Sequence, residues 1–201
     1  MPKRVDHEER RTEIADALVR VAARQGLHAV GMRDVAAEAG VSLRLVQYYF
    51  QTKEKLLFYG LERLARRFTE RVAARLAAVG ADPGPRATVE AVLLVSLPTD
   101  EESRTFHLVY TSYAVLAMTD RTLAAQPFTD NPAAAEDAVA GLLQQAREAG
   151  LTRPDTDPRT EAISLLALTA GLGTSILAGH RSPESAVAVL THHLDRVFRS
   201  G

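Results

Sequence analysis

The chain of 201 residues contains no cysteine, and this absence excludes several kinds of site at once. Without thiols there can be neither a disulfide framework nor a thiolate metal centre. The first residues hold no apolar signal segment, and no apolar run looks long enough to span a bilayer, so we expect a cytoplasmic protein without a membrane partner. The hydrophobic share of 46% is nevertheless sufficient for a sizeable core.

The chain also lacks an overall positive charge, because its formal net charge is −1 at pH 7. The charge is unevenly distributed, however. Residues 1–75 carry 15 Lys and Arg against 10 Asp and Glu, whereas the rest of the chain carries 9 against 15. This asymmetry suits a basic part that binds nucleic acid, joined to an acidic part. An alternative is a merely solvated helix face, since five of the basic residues lie on one predicted helix: Arg63, Arg66, Arg67, Arg71 and Arg75.

Residues 33–53 are the most informative segment, because they predict two short helices joined by a tight turn. Gly40 stands where the chain must reverse, and glycine tolerates positive φ. Ser42 is a natural N-cap for the second helix, without the Glu or Gln that would complete a capping box. A first helix over residues 8–24 would complete a three-helix unit. Such a pair places its second helix in the DNA major groove.

The second helix, Leu43–Phe50, exposes side chains that are suited to DNA. Arg44 and Gln47 can recognise guanine and adenine edges, while Val46 and Phe50 face inward. The alternative is that the aromatic run Tyr48, Tyr49 and Phe50 is ordinary core. We accept this alternative for Phe50 and in part for Tyr49.

At this point the residues resemble the TetR family of one-component transcriptional regulators. The resemblance covers about residues 8–60 and lies in four motifs: Val35-Ala36, Ala39-Gly40-Val41-Ser42, Tyr48-Tyr49-Phe50 and Thr52-Lys53-Glu54-Lys55-Leu56. It implies phosphate contacts from Arg33, Ser42, Tyr48, Tyr49 and Lys53, and base contacts from Leu43, Arg44 and Gln47. The chain departs from the family pattern at two positions, with Gly31 where a Thr cap is common and Arg44 where a small residue is common.

The remainder of the chain predicts an all-α protein of about nine helices, divided into a helix-turn-helix domain over 1–52 and a helical regulatory and dimerisation domain over 53–201. A long helix runs from about Lys53 to Val79 and is followed by a break at 80–85. Thr99 with Glu102 predicts a capping box for a helix to about Met118. Three later helices are predicted to begin where a cap residue precedes proline, at Asn131-Pro132, Asp157-Pro158 and Ser182-Pro183.

The last two predicted helices are apolar on more than one face, which favours a homodimer. Two recognition helices about 34–36 Å apart on one DNA face would read a palindrome. The resemblance to the TetR family implies a dimer interface formed by the last two helices. We therefore expect dimer contacts from Leu165, Leu168, Leu172, Ile176, Val189, Leu190, Leu194 and Val197.

The middle helices mix aromatic, polar and flexible residues, which is typical of ligand pockets. The expected effector-binding residues are Phe106, His107, Tyr110, Tyr113 and Met118, with Phe128 in a following loop. The alternative for each of them is ordinary core or surface. In the family resembled, a small molecule binds among these helices and moves the DNA readers out of register.

Other signals carry no function. His192 and His193 point about 100° apart on a helix, which argues against a shared metal ion. Gly171 and Gly173 form only a fragment of a dinucleotide motif, and we find no cofactor site and no catalytic motif. The sequence therefore predicts a non-enzymatic, ligand-responsive, DNA-binding repressor that binds a palindromic operator as a homodimer. Two alternatives stay open: a small-molecule-binding protein or enzyme on a TetR-like scaffold without operator binding, and a regulator that needs no ligand.

Overall fold

The computed structural model describes the backbone of residues 2–124 and 131–198, and the side chains of 7–121, 123 and 133–198. These residues form ten α-helices, one short 3-10 helix and no β-strand. The all-α prediction is therefore confirmed. Nine of the helices are longer than one turn, and the tenth, α7, has only 4 residues.

The helices run in chain order as follows: α1 Pro2–Gln25, the 3-10 helix Leu27–Ala29, α2 Met32–Glu38, α3 Leu43–Phe50, α4 Lys53–Val79, α5 Pro85–Ser96, α6 Glu101–Ala117, α7 Arg121–Ala124, α8 Asn131–Glu148, α9 Pro158–Leu177 and α10 Pro183–Val197. The predicted bounds of α3 and α4 agree with the structure. The first helix begins at Pro2, six residues before the predicted start, because no helix-breaking residue follows that proline.

The chain folds as two compact units. The first comprises Met1–Arg67 and Leu108–Thr129, and the second comprises Phe68–His107 and Asp130–Gly201. The beginning of α4 thus belongs to the same compact unit as the N-terminal helices. The domain boundary predicted from the sequence lies instead between residues 52 and 53.

The core of the first unit lies where the inner faces of α1 to α4 meet, with Ile14, Val35, Val46, Phe50 and Leu61 all buried. Ion pairs reinforce the packing of α1 against its neighbours. Asp16 accepts hydrogen bonds from Arg63 Nε at 3.1 Å and from Arg67 Nη2 at 2.9 Å on α4. Glu38 of α2 likewise pairs with Arg20 and Arg24 of α1.

The core of the second unit is shared by α5, α8, α9 and α10, which pack against one another. Helix α9 supplies its centre with Leu165, Leu172 and Ile176. By length and apolar composition alone, α9 would also suffice to cross a membrane, contrary to the expectation that no such run exists. Because the core helix of a folded domain passes the same test, this property alone does not indicate a membrane span.

The helix caps explain several of the boundaries. Asp157 and Ser182 accept hydrogen bonds from the Thr160 and Ser185 amides, as predicted, whereas the Asn131 side chain lies outside the described residues. The prediction of a capping box at Thr99 and Glu102 was wrong. Asp100 is the residue that caps α6, because its Oδ1 accepts from the Ser103 amide at 2.8 Å while Ser103 Oγ accepts from the Asp100 amide at 3.1 Å.

Candidate nucleic-acid interface

The chain turns between α2 and α3 at Gly40, the position predicted from the sequence. Gly40 has φ +66°, in the left-handed region that favours glycine. The Val41 amide reaches back to the Ala36 carbonyl at 2.9 Å, and the Gly40 amide to the Ala37 carbonyl at 3.2 Å. These two bonds satisfy the last carbonyls of α2 and turn the chain sharply towards α3.

Helix α3 begins with the predicted cap, because the Ser42 hydroxyl accepts a hydrogen bond from the Leu45 amide at 3.2 Å. Ser42 itself is exposed. The cap fixes where α3 begins and therefore which of its side chains face the solvent.

The two faces of α3 are sharply different. Val46 and Phe50 are buried against the rest of the first unit. Arg44, Gln47 and Tyr48 lie on the opposite face and are exposed, with Tyr48 at 68%. Arginine and glutamine can form paired hydrogen bonds with base edges, so this face has the chemistry that reads a major groove.

The other predicted DNA-contacting residues lie on α2, at the beginning and end of α3, and at the beginning of α4. Arg33 on α2 is exposed, whereas Leu43, Tyr49 and Lys53 are partly buried. The side chains of Lys3 and Arg4, expected to form a basic arm, lie outside the described residues. Sequence reasoning missed His7, because the first helix was predicted to begin after it. The His7 ring lies 4.6 Å from that of Tyr49 and 6.3 Å from that of Tyr48.

The joint between α3 and α4 has an unusual backbone. Gln51 has φ +59° and ψ −51°, and the Thr52 amide donates to the Phe50 carbonyl at 2.6 Å. This is a tight three-residue turn, a rare and strained conformation for a residue other than glycine. Thr52 then caps α4 through the Lys55 amide at 3.3 Å, which leaves Lys53 in the first helical position.

Gly31 stands where a Thr cap is common in the family that the sequence resembles, and the cap of α2 is incomplete there. The Gly31 amide donates to Asp34 Oδ2 at 2.9 Å, which is half of a capping box. The other half is missing because glycine has no side chain to accept from the first turn of α2. The Asp34 carboxylate is therefore the side chain that caps the beginning of α2.

The residues predicted to bind an effector lie on α6 and in the turn after it. In the second unit, Phe106 stacks on Phe68 with ring centroids 4.9 Å apart, and His107 is buried. In the first unit, Tyr113 is buried and donates a hydrogen bond to the Leu123 carbonyl at 2.7 Å, and Tyr110 is partly buried. Met118 is 80% exposed. Phe128 lies outside the described residues.

The residues predicted to form a dimer interface lie mostly inside the protomer. Leu165, Leu172, Ile176, Leu190, Leu194 and Val197 are buried in the core of the second unit, and Leu168 packs against it. Only Val189 is exposed. Each of these helices has an apolar inner face, and all of the predicted residues except Val189 belong to that face within the protomer. The outer face of α9 instead presents Ile163, Ala167, Ala170, Gly171 and Thr174, all exposed.

The architecture therefore defines a helix-turn-helix DNA-binding protein with an appended helical unit, and comparison with known proteins agrees. A family model described as "Bacterial regulatory proteins, tetR family" matches residues 14–59, and one described as "BetI-type transcriptional repressor, C-terminal" matches residues 85–199. The regulator PksA of Bacillus subtilis is 31% identical over 172 residues, which is 86% of this chain and 80% of that protein. The regulator BetI of Rhizobium meliloti is 37% identical over 101 residues, which is 50% of this chain and 48% of that protein.

Solved structures give the same result over nearly the whole chain. A transcriptional regulator from Rhodococcus sp. Rha1 is 27% identical with a TM-score of 0.77, covering 93% of this chain and 95% of that one. A protein from Saccharomonospora viridis, described as a transcriptional regulator and solved in complex with choline, is 25% identical with a TM-score of 0.84, covering 96% and 100%. The chain belongs to the TetR family. It is accordingly a DNA-binding transcriptional regulator and not an enzyme.

Proposed function

We propose that this chain acts in the cytoplasm as a homodimeric, effector-responsive repressor that reads a palindromic operator with α3. The observation that carries the proposal is the opposition of faces on that helix. Its core side is fixed by Val46 and Phe50, and its free side presents Arg44, Gln47 and Tyr48 to solvent. In this arrangement Arg44, Gln47 and Leu43 contact bases, while Arg33, Ser42, Tyr48, Tyr49 and Lys53 contact phosphates.

The proposed dimer uses the outer faces of α9 and α10 rather than their buried leucines. Ile163 is 45% exposed and Val189 is 37% exposed, and small residues lie along α9 between its ends. Gly171 is the most informative of these. A glycine inside a helix costs about 1 kcal/mol relative to alanine, yet a Cβ at this position would meet nothing within 4 Å in the protomer. The close approach of a partner helix would explain why a glycine stands at this position.

The proposed effector is a small molecule that binds near α6, with Phe106, His107, Tyr110, Tyr113 and Met118 as the candidate contacts. Support comes from the BetI-type family match and from the related regulator that was solved with choline. A ligand can release DNA only if it binds the released arrangement more tightly than the DNA-bound one. Choline is therefore the first compound to test, by thermal stabilisation of the protein and by loss of bound DNA. A protein that ignores choline and other metabolites would favour the ligand-independent alternative.

The operator proposal is tested by selecting duplexes from a random pool with the wild-type protein and measuring their affinity by fluorescence anisotropy. Arg44→Ala and Gln47→Ala should each weaken binding to the selected duplex by roughly 1–3 kcal/mol and relax the choice among sequence variants. Arg147→Ala is the matched control, because Arg147 is an exposed arginine on α8. If the wild type selects no sequence, the scaffold alternative without operator binding is favoured instead. Unchanged discrimination by both α3 variants would overturn the base-reading roles.

A further inference from the structure

The first turns of α1 bring an aromatic side chain against the exposed end of α3. Three rings meet there, those of His7, Tyr48 and Tyr49. The ring centroids of His7 and Tyr49 lie 4.6 Å apart, and those of Tyr48 and Tyr49 lie 5.2 Å apart. The interplanar angles are 60° and 83°, so both pairs pack edge to face. This is a preferred geometry for aromatic pairs.

The consequence concerns Tyr48, whose ring is 68% exposed on the face of α3 that we assign to DNA. An exposed ring with few neighbours samples several rotamers, and fixing it on a ligand costs free energy. Here Tyr49 packs against Tyr48, and His7 touches both from another helix, with centroids 6.3 Å apart for His7 and Tyr48. The cluster limits the positions of two phenolic hydroxyls before any DNA arrives.

We propose that His7 is a positioning residue for DNA binding, which holds Tyr48 and Tyr49 in the orientation that presents their hydroxyls to backbone phosphates. The proposal rests on the proposed operator-binding function and extends the interface onto α1. It assigns His7 a role through ring packing rather than through its own contact with phosphate.

The test uses the full-length protein and the duplex that the wild type selects from a random pool. His7→Ala should weaken binding by roughly twofold to tenfold, because a tyrosine side chain that is no longer held in advance must be ordered on the DNA. His7→Phe should recover most of the affinity, because a phenyl ring packs in the same way. The dependence of affinity on salt should keep its slope in both variants, because in this proposal His7 makes no phosphate contact that a substitution could remove. Reduced affinity and a shallower slope in His7→Phe as well would overturn the proposal in favour of direct phosphate binding.

A second comparison separates positioning from a general loss of structure. In a Tyr48→Phe, Tyr49→Phe background the rings are kept but the hydroxyls are gone, so adding His7→Ala should cause no further loss of affinity. A further loss equal to that in the wild-type background would overturn the proposal. Melting temperatures of all variants show whether the fold is kept. Equal affinities of wild type and His7→Ala would overturn the positioning role of His7. A wild-type protein that selects no DNA would instead overturn the proposed operator-binding function.

Discussion

His107 on α6 occupies the space that any side chain at Gly173 on α9 would need. A Cβ added to Gly173 would lie 2.2 Å from Cε1 of the His107 ring and 2.7 Å from its Nδ1. Burial lowers the pKa of His107, although the Ser96 carbonyl, 3.5 Å from Nδ1, opposes this effect. Burial therefore favours the neutral form of the ring, which packs between α6 and α9 in the second unit.

Substituting Gly173 with alanine should consequently destabilise the protein. Overpacking a filled core costs typically about 1–3 kcal/mol, which exceeds the roughly 1 kcal/mol that alanine gains in a helix. The measurement is the free energy of unfolding by urea. Gly141→Ala on α8 is the matched control, because a Cβ there meets nothing within 4 Å, and it should be stabilising. Equal effects of the two substitutions on the free energy of unfolding would show that the His107 ring can move aside without destabilising the protein.

The sequence predicted most accurately where one local rule determines the structure. Ser42, Gly40 and the inward positions Val46 and Phe50 depend on capping, positive φ and helical periodicity, and all four behave as expected. Periodicity does not decide which face is buried where a helix is apolar on both sides. For α9 it could not distinguish the buried face from the open one, because that choice depends on how α9 packs against α5, α8 and α10.

Two further features could not be read from the sequence, for different reasons. Asp100 and not the neighbouring Thr99 caps α6, and Asp100 also pairs with Arg71, a residue 29 positions earlier. Partial burial opposes ionisation of Asp100, yet the bonds from Arg71 and Ser103 hold its pKa below the ordinary value. His7 reaches the interface only because α1 extends to Pro2. The first outcome depends on which of two adjacent cap-forming residues precedes the helix, and the second depends on how far α1 extends before its predicted start.

The ion pair between α1 and α2 predicts a pH dependence of stability. Hydrogen bonds from Arg24 and then Arg20 lower the pKa of Glu38 from 4.5 to about 2. A carboxyl whose pKa is depressed in the folded state stabilises the fold above its unfolded pKa, and this contribution is lost as the pH falls through the interval between the two values. The window therefore lies between pH 4.5 and about 2.

Glu38→Gln should accordingly lower the melting temperature at pH 7, and the difference from wild type should shrink as the pH is lowered from about 5 towards about 3. Thermal unfolding followed by circular dichroism at a series of pH values measures both curves. Glu148→Gln is a suitable control, because Glu148 is an exposed carboxyl at the end of α8. Parallel curves for wild type and Glu38→Gln would contradict the assignment of this pH dependence to Glu38.

Lys53 begins α4 directly after the strained turn at Gln51, and its proposed partner is a backbone phosphate. Lys53→Ala should weaken binding to all duplexes alike and reduce the salt slope by about 0.9 for each protomer, or about 1.8 for the dimer, because each protomer neutralises one phosphate fewer than in the wild type. Anisotropy titrations at several salt concentrations provide the slope. Lys55→Ala is the control, because the Lys55 amine donates to Gln51 Oε1 at 2.6 Å. Weakening that is confined to the selected sequence would contradict the phosphate role.

Gly171 distinguishes the outer face of α9 from its inner one, and a large side chain there should separate the protomers. In Gly171→Trp the indole would project from a surface that the protomer leaves open, so the monomer should fold while the close approach of a partner helix is blocked. Sedimentation or light scattering should then report a monomer, and affinity for the palindromic duplex should fall because one recognition helix reads only half of it. Gly141→Trp provides the matched control on α8, where a Cβ also meets nothing within 4 Å. A Gly171→Trp protein that stays dimeric at the concentration where Gly141→Trp does would place the interface on some other face of the chain.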